Sequence, residues 1–160
     1  MHFKQHIIHA IVLQSIQHDL DAGRIKGQSP APQCQPISAM NKSEAIQIAN
    51  ESLRANLLND ANTQFSNIVR YVADEGWWLN IPLANFRKEN HFLICNEKAK
   101  TIRHLTIKAS TILSPATKFR VKDGVADIFI SAANPKKLVD ILQGGTKYSF
   151  NKHLVDEHRF

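Results

Sequence analysis

The sequence contains no recognisable catalytic or metal-binding motif. Its only two cysteines, Cys34 and Cys95, lie too far apart for a Cys-x-x-Cys metal site, and we interpret both as free thiols in a reducing compartment. The glycine pair Gly144-Gly145 lacks the surrounding pattern of a phosphate-binding loop and is typical of a helix stop. No pair of acidic residues has a spacing that requires a metal or a glycosidic site. We therefore expect no cofactor and favour a non-catalytic function.

Long hydrophobic runs are absent as well. The most apolar run, residues 7–13, is far shorter than the roughly 20 residues that a bilayer-spanning helix needs. Gln14, Gln17 and His18 follow this run, where a signal peptide would have small residues for cleavage. The sequence therefore predicts a cytoplasmic protein with no membrane partner.

Positive charge is abundant, and it is concentrated in one half of the chain. Residues 1–85 contain six Lys or Arg and seven Asp or Glu, whereas residues 86–160 contain fourteen and seven. Residues 97–137 alone hold nine basic and three acidic side chains. Because repulsion between like charges opposes folding, such a concentration indicates a polyanionic partner.

The N-terminal part differs in composition from the rest. Residues 1–23 predict a helix that lacks Gly and Pro before Gly23 and has apolar residues nearly all round its axis. Such a helix needs a partner surface, so we expect self-association through residues 3–20. Residues 24–40 contain three prolines and predict a linker or surface loop. Residues 41–160 are then an α+β domain.

Within that domain, periodicity predicts helices and a small antiparallel sheet. A helix pattern begins at Glu44 after Ser43 and continues to Leu58, and Gly76 is placed to stop a second one. The predicted helices are 44–58, 65–73, 97–113 and 135–142, and the predicted strands are 77–81, 91–95 and the two arms of a hairpin at about 117–131. For 97–113 a strand is the alternative, because the segment is rich in β-branched Thr and Ile, but an apolar stripe about 100° wide favours the helix. The C-terminal tail is compatible with a short strand or a helix.

The hairpin has the clearest local signal. Asp123-Gly124 supplies the turn between two alternating runs, so Lys122 should pair with Val125, Arg120 with Asp127, and Lys118 with Phe129. A basic helix at 97–113 followed by a basic hairpin has the element order of a winged helix. The fold expected is therefore α+β, winged-helix-like in element order, and preceded by the hydrophobic helix.

A nucleic-acid-binding function follows from this arrangement. The basic side chains of the predicted helix and hairpin would contact phosphates, which position a nucleic acid without specifying its sequence, so DNA and RNA suit them equally. The predicted contact residues are Lys100, Arg103, His104, Lys108, Lys118, Arg120 and Lys122. Trp77 and Trp78 would face opposite sides of a strand, one in the core and the other free to stack on an unpaired base if it is exposed.

Two alternatives from other classes remain open. A small metal-independent, toxin-like ribonuclease would use a general base, a general acid and cations, for which the chain offers His104, His153, His158, Tyr148, Lys147, Lys152 and Arg159. An oligomeric assembly protein would act through the N-terminal helix. His2, His6 and His9 would share one arc of that helix, which suits either a metal ion or the polar edge of an interface.

Overall fold

Seven strands form one mixed sheet in residues 39–160, the part of the chain that the computed structural model describes. The predictions for the N-terminal helix, its three histidines and most of the linker lie outside these residues. The helices are α1 (Lys42–Leu53) and α2 (Pro115–Lys118). The strands are β1 (Thr63–Tyr71), β2 (Asp74–Pro82), β3 (Asn90–Asn96), β4 (Thr101–Ile107), β5 (Arg120–Lys122), β6 (Val125–Ser131) and β7 (Leu154–Arg159). Short 3-10 helices occupy Leu83–Arg87 and Asn151–His153.

The strands lie in the order β5-β6-β2-β1-β3-β4-β7. All neighbouring pairs are antiparallel except β1 and β3, which are parallel. Parallel neighbours need a crossover, and here β2 and the 3-10 helix that follows it provide the connection. The short strand β5 and the C-terminal strand β7 are the two edges of the sheet.

Helix α1 begins at a capping box and packs closely on the sheet. The Asn41 side chain accepts a hydrogen bond from the Glu44 backbone N–H, and the Glu44 carboxylate accepts one from the Asn41 N–H. Ala45 and Ala49 are fully buried, and their small side chains let the helix lie close to the strands. The prediction of a helix here is confirmed, but its N-cap is Asn41 and not Ser43, and it ends at Leu53 and does not continue to residue 58.

The sheet has a different covering on each side. On the side of α1, a small core of Ala45, Ala49, Leu58, Leu93, Cys95 and Ile102 joins the helix to strands β3 and β4. The opposite side carries the larger core, built around Trp77, Phe92, Phe119, Ile128 and Phe150. Because β3 contributes to both cores, all but the last of its residues are buried.

The expected fold class is wrong. The seven-stranded mixed sheet and the single helix of 12 residues exclude a winged helix with a small antiparallel sheet. The predicted helix at 97–113 is a turn followed by β4. Both sides of β4 are covered, Ile102 and His104 on the α1 side and Leu105 and Ile107 on the other, so its apolar residues do not alternate. The apolar residues of a strand that is covered on both sides therefore matched the spacing of an apolar stripe on a helix.

The second predicted helix, 65–73, is also wrong, because these residues belong mainly to β1. Phe65 contacts the core beside α1, whereas Ile68 packs against the core on the opposite side. Gly76 does not stop a helix. It lies inside β2, where it is opposite Val69 of β1.

The predicted helix at 135–142 is likewise absent. Instead, this segment runs beside β6 where β5 has ended. The Ser131 N–H donates to the Val139 carbonyl, and the Ile141 N–H donates to the Phe129 carbonyl. The buried Asp140 carboxylate accepts hydrogen bonds from the backbone N–H groups of Phe129 and Leu142, which a helix would not have allowed. Burial raises the pKa of Asp140, and these two hydrogen bonds oppose that rise.

Three other local predictions hold at least in part. Residues 77–81 and 91–95 lie in β2 and β3 as expected. In the hairpin, Lys122 pairs with Val125 and Arg120 with Asp127, which confirms the register. Lys118 does not pair with Phe129, because it belongs to α2 and the first arm is only three residues long. The undecided C-terminal tail is strand β7.

None of the helices in residues 39–160 has the length and apolar character that a membrane crossing requires.

Candidate functional site

The two adjacent tryptophans face opposite sides of β2. Trp77 is only 1% exposed in the larger core, where its indole N–H donates a 2.8 Å hydrogen bond to the Cys95 carbonyl. Trp78 points to the α1 side of the sheet and is half-buried. The expectation that one tryptophan serves the core therefore holds for Trp77, and Trp78 is the one within reach of a ligand.

Trp78 belongs to an aromatic cluster on three neighbouring strands. The Tyr71 ring of β1 lies 5.1 Å from the Trp78 ring, and the Phe129 ring of β6 lies 5.6 Å from it. Tyr71 is 41% exposed, while Phe129 is buried beneath the other two rings. Gly76 makes room for this cluster, since a side chain there would come within 2.9 Å of the Phe129 ring.

A cation lies over the cluster. The Arg120 guanidinium of β5 is 5.9 Å from the Trp78 ring centroid, within the range of a cation–π contact. The same guanidinium is 3.0 Å from the Asp127 carboxylate, which also accepts a 2.7 Å hydrogen bond from Asn80. We call the surface of Tyr71, Trp78, Phe129 and Arg120 the aromatic half. The core beneath α1 includes no residue of β2, β5 or β6, so this half of the sheet face lies beyond the helix-covered core.

Further cations lie along the β5 edge. Lys118 ends α2 immediately before β5, and Lys122 ends β5 and is exposed. The Thr146 N–H and hydroxyl both donate to the Lys118 carbonyl, which fixes Lys147 near this edge as well. These cations share the edge with the carboxylates of Asp123 and Asp127. The predicted contact residues Lys118, Arg120 and Lys122 are thus brought together.

The other predicted contact residues lie on or next to β4. Lys100 is in the β3–β4 turn and contacts the Phe160 ring, with 5.2 Å between its ammonium and the ring centroid. Arg103 forms a 2.7 Å ion pair with Glu157 of β7. Lys108 is exposed just after β4, whereas His104 is buried. Of this group, His104 and Lys108 line a groove on the α1 side, whereas Arg103 faces the opposite side of the sheet.

The two groups are far apart. Strand β5 is first in the sheet and β4 is sixth, and five steps between neighbouring strands amount to about 24 Å. Two of the seven side chains, Arg103 and Arg120, are also engaged by carboxylates. The structure therefore divides the predicted surface, and of its two groups the β5 group is the one beside the Tyr71 and Trp78 rings.

A concave site elsewhere on the sheet contains three of the four histidines in residues 39–160. A groove of about 490 Å³ is lined by Leu53, Leu57, Glu89, His91, His104, Thr106, Lys108, Thr111, Lys152, His153 and Val155. Two of the histidines proposed for a ribonuclease, His104 and His153, therefore share one site with Lys152. His158 lies behind His104, with 6.4 Å between ring centroids, while Lys147 and Arg159 are not part of the groove.

The ring nitrogens in this groove are poorly placed for acid–base catalysis. His153 Nε2 lies 2.8 Å from the Tyr148 hydroxyl, and its ring also hydrogen-bonds the Thr106 carbonyl. Burial, helped by the nearby Lys152 charge, lowers the pKa of His153. His104 Nδ1 is enclosed without a partner. A general base must reach the proton that it removes, so this geometry gives the ribonuclease hypothesis little support.

Metal-ligating side chains do not converge in the region that the structure describes. Between residues 39 and 160, no group of three or more His, Cys, Asp or Glu residues could hold a metal ion. Cys95 is buried, and burial together with the Glu97 charge raises the pKa of its thiol to about 11, so it remains a neutral thiol in the core.

Sequence reasoning missed several residues of both sites. Tyr71 lay in a predicted helix, and His91 and Thr106 were not connected with His104. Alternation along β1 could have placed Tyr71 on one side of a strand with Phe65, since both have odd numbers. No local signal joins His91 to His104, because their contact depends on the pairing of β3 with β4.

No family model, curated protein or solved structure matches this chain. Its function has to be argued from the sites themselves.

Proposed function

We propose that the protein binds single-stranded nucleic acid on the aromatic half of its sheet. The observation that carries this proposal is the partly exposed Trp78 ring with the Arg120 guanidinium over it and the exposed Tyr71 ring beside it. Aromatic rings on an open sheet face stack on bases, and cations beside them neutralise the backbone phosphates. Stacking needs bases that are unpaired, so the expected ligand is a single strand.

The cations along the β5 edge support this proposal. Lys118, Lys122 and Lys147 lie on the segments next to Arg120, whose guanidinium pairs with the Asp127 carboxylate. A single nucleic-acid strand that runs along β5 would place its phosphates at these lysines while its bases reach Trp78 and Tyr71. Stacking and phosphate contacts do not select a base sequence, so binding with little sequence preference is expected.

The cations of β4 have a different role in this proposal. Arg103 is held by Glu157 and Lys100 by the ring of Phe160, so both stabilise the sheet edge formed by β7. A cytoplasmic location and self-association through residues 3–20 remain predictions from the sequence.

Fluorescence polarisation with a labelled single-stranded RNA tests the charge requirement. The variant Lys118→Gln/Lys122→Gln should bind more weakly than the wild type and should lower the magnitude of the log-affinity versus log-salt slope by about 1.4, since each contact contributes about 0.7 for a single strand. The matched control is Lys100→Gln/Lys108→Gln, which removes the same charge near β4. Equal slopes for the two variants would contradict the proposal, because they would mean that net charge alone drives binding.

The same titration tests the stacking requirement. Trp78→Leu should weaken binding by about 10-fold, since stacking on one aromatic side chain contributes about 1–3 kcal/mol. A duplex of equal length should bind the wild type more weakly than the single strand. Wild-type affinity in Trp78→Leu, or a preference for the duplex, would exclude the aromatic half as the binding surface.

A further inference from the structure

Three histidines on neighbouring strands form a row on the α1 side of the sheet. His91 lies on β3, His104 on β4 and His158 on β7, and they are 4%, 1% and 2% exposed. His104 is diagonal to both of the others, because His91 is opposite Thr106 and His158 is opposite Ile102. We call these three residues the histidine row. Its outer member, His158, belongs to β7, which lies at the edge of the sheet formed by the described residues and has β4 as its neighbour.

Hydrogen bonds connect the first two histidines directly. His91 Nδ1 lies 3.1 Å from His104 Nε2 and 3.0 Å from the Thr106 hydroxyl. The Thr106 hydroxyl is in turn 3.2 Å from His104 Nε2. His91 Nε2 faces the Glu89 carboxylate at 3.6 Å, so its proton is best placed on Nε2. His91 Nδ1 then accepts from His104 Nε2–H, and His104 Nδ1 is left as a bare acceptor inside the protein.

The row has unused proton sites within the protein. His104 Nδ1 and both ring nitrogens of His158 are buried without a hydrogen-bond partner. Each end of the row, by contrast, faces an exposed carboxylate: Glu89 lies beside His91, and Asp156 Oδ2 is 3.8 Å from His158 Nδ1.

The remaining charged and titratable groups around the row oppose its protonation. Lys108, Lys152 and His153 line the groove over His91 and His104. Cys95 lies on the same side of β3, and α1 faces this side with apolar residues. Burial and the two neighbouring histidines lower the pKa of His104 to about 4, against a weaker opposite effect of Asp156. Burial lowers the pKa of His91, and the Glu89 charge only partly offsets this.

Strand β7 is the element that protonation of the row would release most easily. Among residues 39–160 it pairs only with β4, and Leu154 to Glu157 are exposed there. Its pairing with β4 also changes register between His104 and Leu105, so the ladder is irregular beside the row. Besides its backbone pairing, β7 is held by the Arg103–Glu157 ion pair, the packing of Phe160 on Lys100, the buried His158 ring and contacts with α1. Edge and terminal segments open locally at a lower free energy than the centre of a sheet.

We propose that the histidine row is an acid-operated latch on the C-terminal strand. At mildly acidic pH the enclosed His104 ring stays neutral while β7 is in place, and it binds a proton once the strand opens and the ring reaches water, so acid favours the open state. Strand β7 then separates from β4 while the centre of the sheet stays folded. Opening exposes the β4 edge and gives the unpartnered ring nitrogens access to water.

Hydrogen exchange of the full chain tests this latch. Protection of the β7 amides and of the β4 amides that face them should fall at least 10-fold between pH 7.5 and pH 5.0, after correction for the intrinsic pH dependence of exchange. Amides between β2 and β6 serve as the internal reference and should keep their protection. Unchanged β7 protection, or an equal loss in β2 and β6, would overturn the proposal.

A pair of variants separates the row from the other buried histidine of the groove. His104→Gln keeps a hydrogen-bonding side chain but cannot bind a proton in this range, so its β7 protection should change less than 2-fold with pH. His153→Gln removes a histidine that lies outside the row and should open like the wild type. If His104→Gln opens as the wild type does, the row is not the latch. Should either variant fail to fold, the wild-type measurement still decides, together with the NMR tautomer of His91, which must carry its proton on Nε2 at pH 7.5.

Discussion

Two halves of the same sheet face hold opposite kinds of side chain. On the α1 side of strands β3, β4 and β7, the protein buries polar imidazole rings, three of whose nitrogens have no partner among the described residues. Beyond the helix-covered core, on β1, β2 and β6, it leaves Tyr71 and Trp78 partly exposed to water. Folding stability alone would favour the reverse arrangement, because burial stabilises apolar rings and destabilises unpaired polar groups.

The comparison indicates that the two halves are not simply parts of a core. An exposed aromatic surface with a cation over it suits a ligand that has flat rings and negative charge. A buried row of imidazoles suits a response to protons. The two proposals rest on different strands and different residues, so each can fail without the other.

Acid should reveal the largest difference between the halves. The ordinary pKa of a histidine is 6.5, whereas that of His104 in the folded protein is about 4. As the pH falls, His104 is therefore protonated in the unfolded chain before it is protonated in the folded protein. Stability from this group is complete above pH 6.5 and is lost towards pH 4, by up to about 3 kcal/mol. Urea denaturation at a series of pH values should show a smaller loss in His104→Gln, whereas Trp78→Leu should lose as much as the wild type. Equal losses in His104→Gln and the wild type would contradict the assignment.

Packing of the aromatic half should give the next largest effect. In Gly76→Ala the new methyl group would overlap the Ile130 carbonyl oxygen and crowd the Phe129 ring, so we expect the free energy of unfolding to fall by about 2 kcal/mol. Binding of single-stranded RNA should weaken with it, because the Phe129 ring supports Trp78.

Gly124→Ala is the matched control for this effect. Gly124 has a positive φ of 76° at the hairpin turn, and no atom lies near the position of an added methyl group. Its substitution should lower the free energy of unfolding by about 1 kcal/mol through backbone strain, with no change in RNA affinity. If both variants lose the same stability and the same affinity, close packing under the aromatic half is not what requires Gly76.

The parts of the fold that could be predicted from the sequence are those that depend on neighbours along the chain. The Asp123-Gly124 turn determines its own hairpin register, and the start of α1 depends on Asn41 and Glu44. Strand β4 could not be identified by periodicity, because both of its sides are covered. The pairing of β1 with β3 joins distant segments and has no local signal either.

The candidate site could be predicted only in part for the same reason. The cations of β5 were identified together, since the hairpin places Arg120 and Lys122 on one side. Their separation from Lys100 and Arg103 depends on the strand order, which charge patterning does not contain. The alternation of Trp77 and Trp78 was predictable from the strand period, but which of them is exposed depends on where α1 packs.

The smallest expected effect concerns the tip of the β1–β2 hairpin, at the margin of the aromatic half. Tyr71 pairs with Asp74, which leaves a two-residue turn whose first residue, Val72, has a φ of 57° and is 83% exposed. A β-branched residue is strained in this conformation, for which a hairpin turn favours glycine. Val72→Gly should therefore raise the free energy of unfolding by about 0.5–1 kcal/mol, the strain relieved being larger than the entropy that glycine loses on folding.

Ala73→Gly is the matched control, because Ala73 has no positive φ and its substitution should lower stability. If Val72→Gly is more stable and binds RNA as the wild type does, the strain at the tip serves no contact with the ligand, and the binding surface ends at Tyr71. If Val72→Gly is more stable and binds RNA more weakly, the exposed valine is part of the aromatic half and the strain is retained for binding. A loss of stability in Val72→Gly would contradict the prediction.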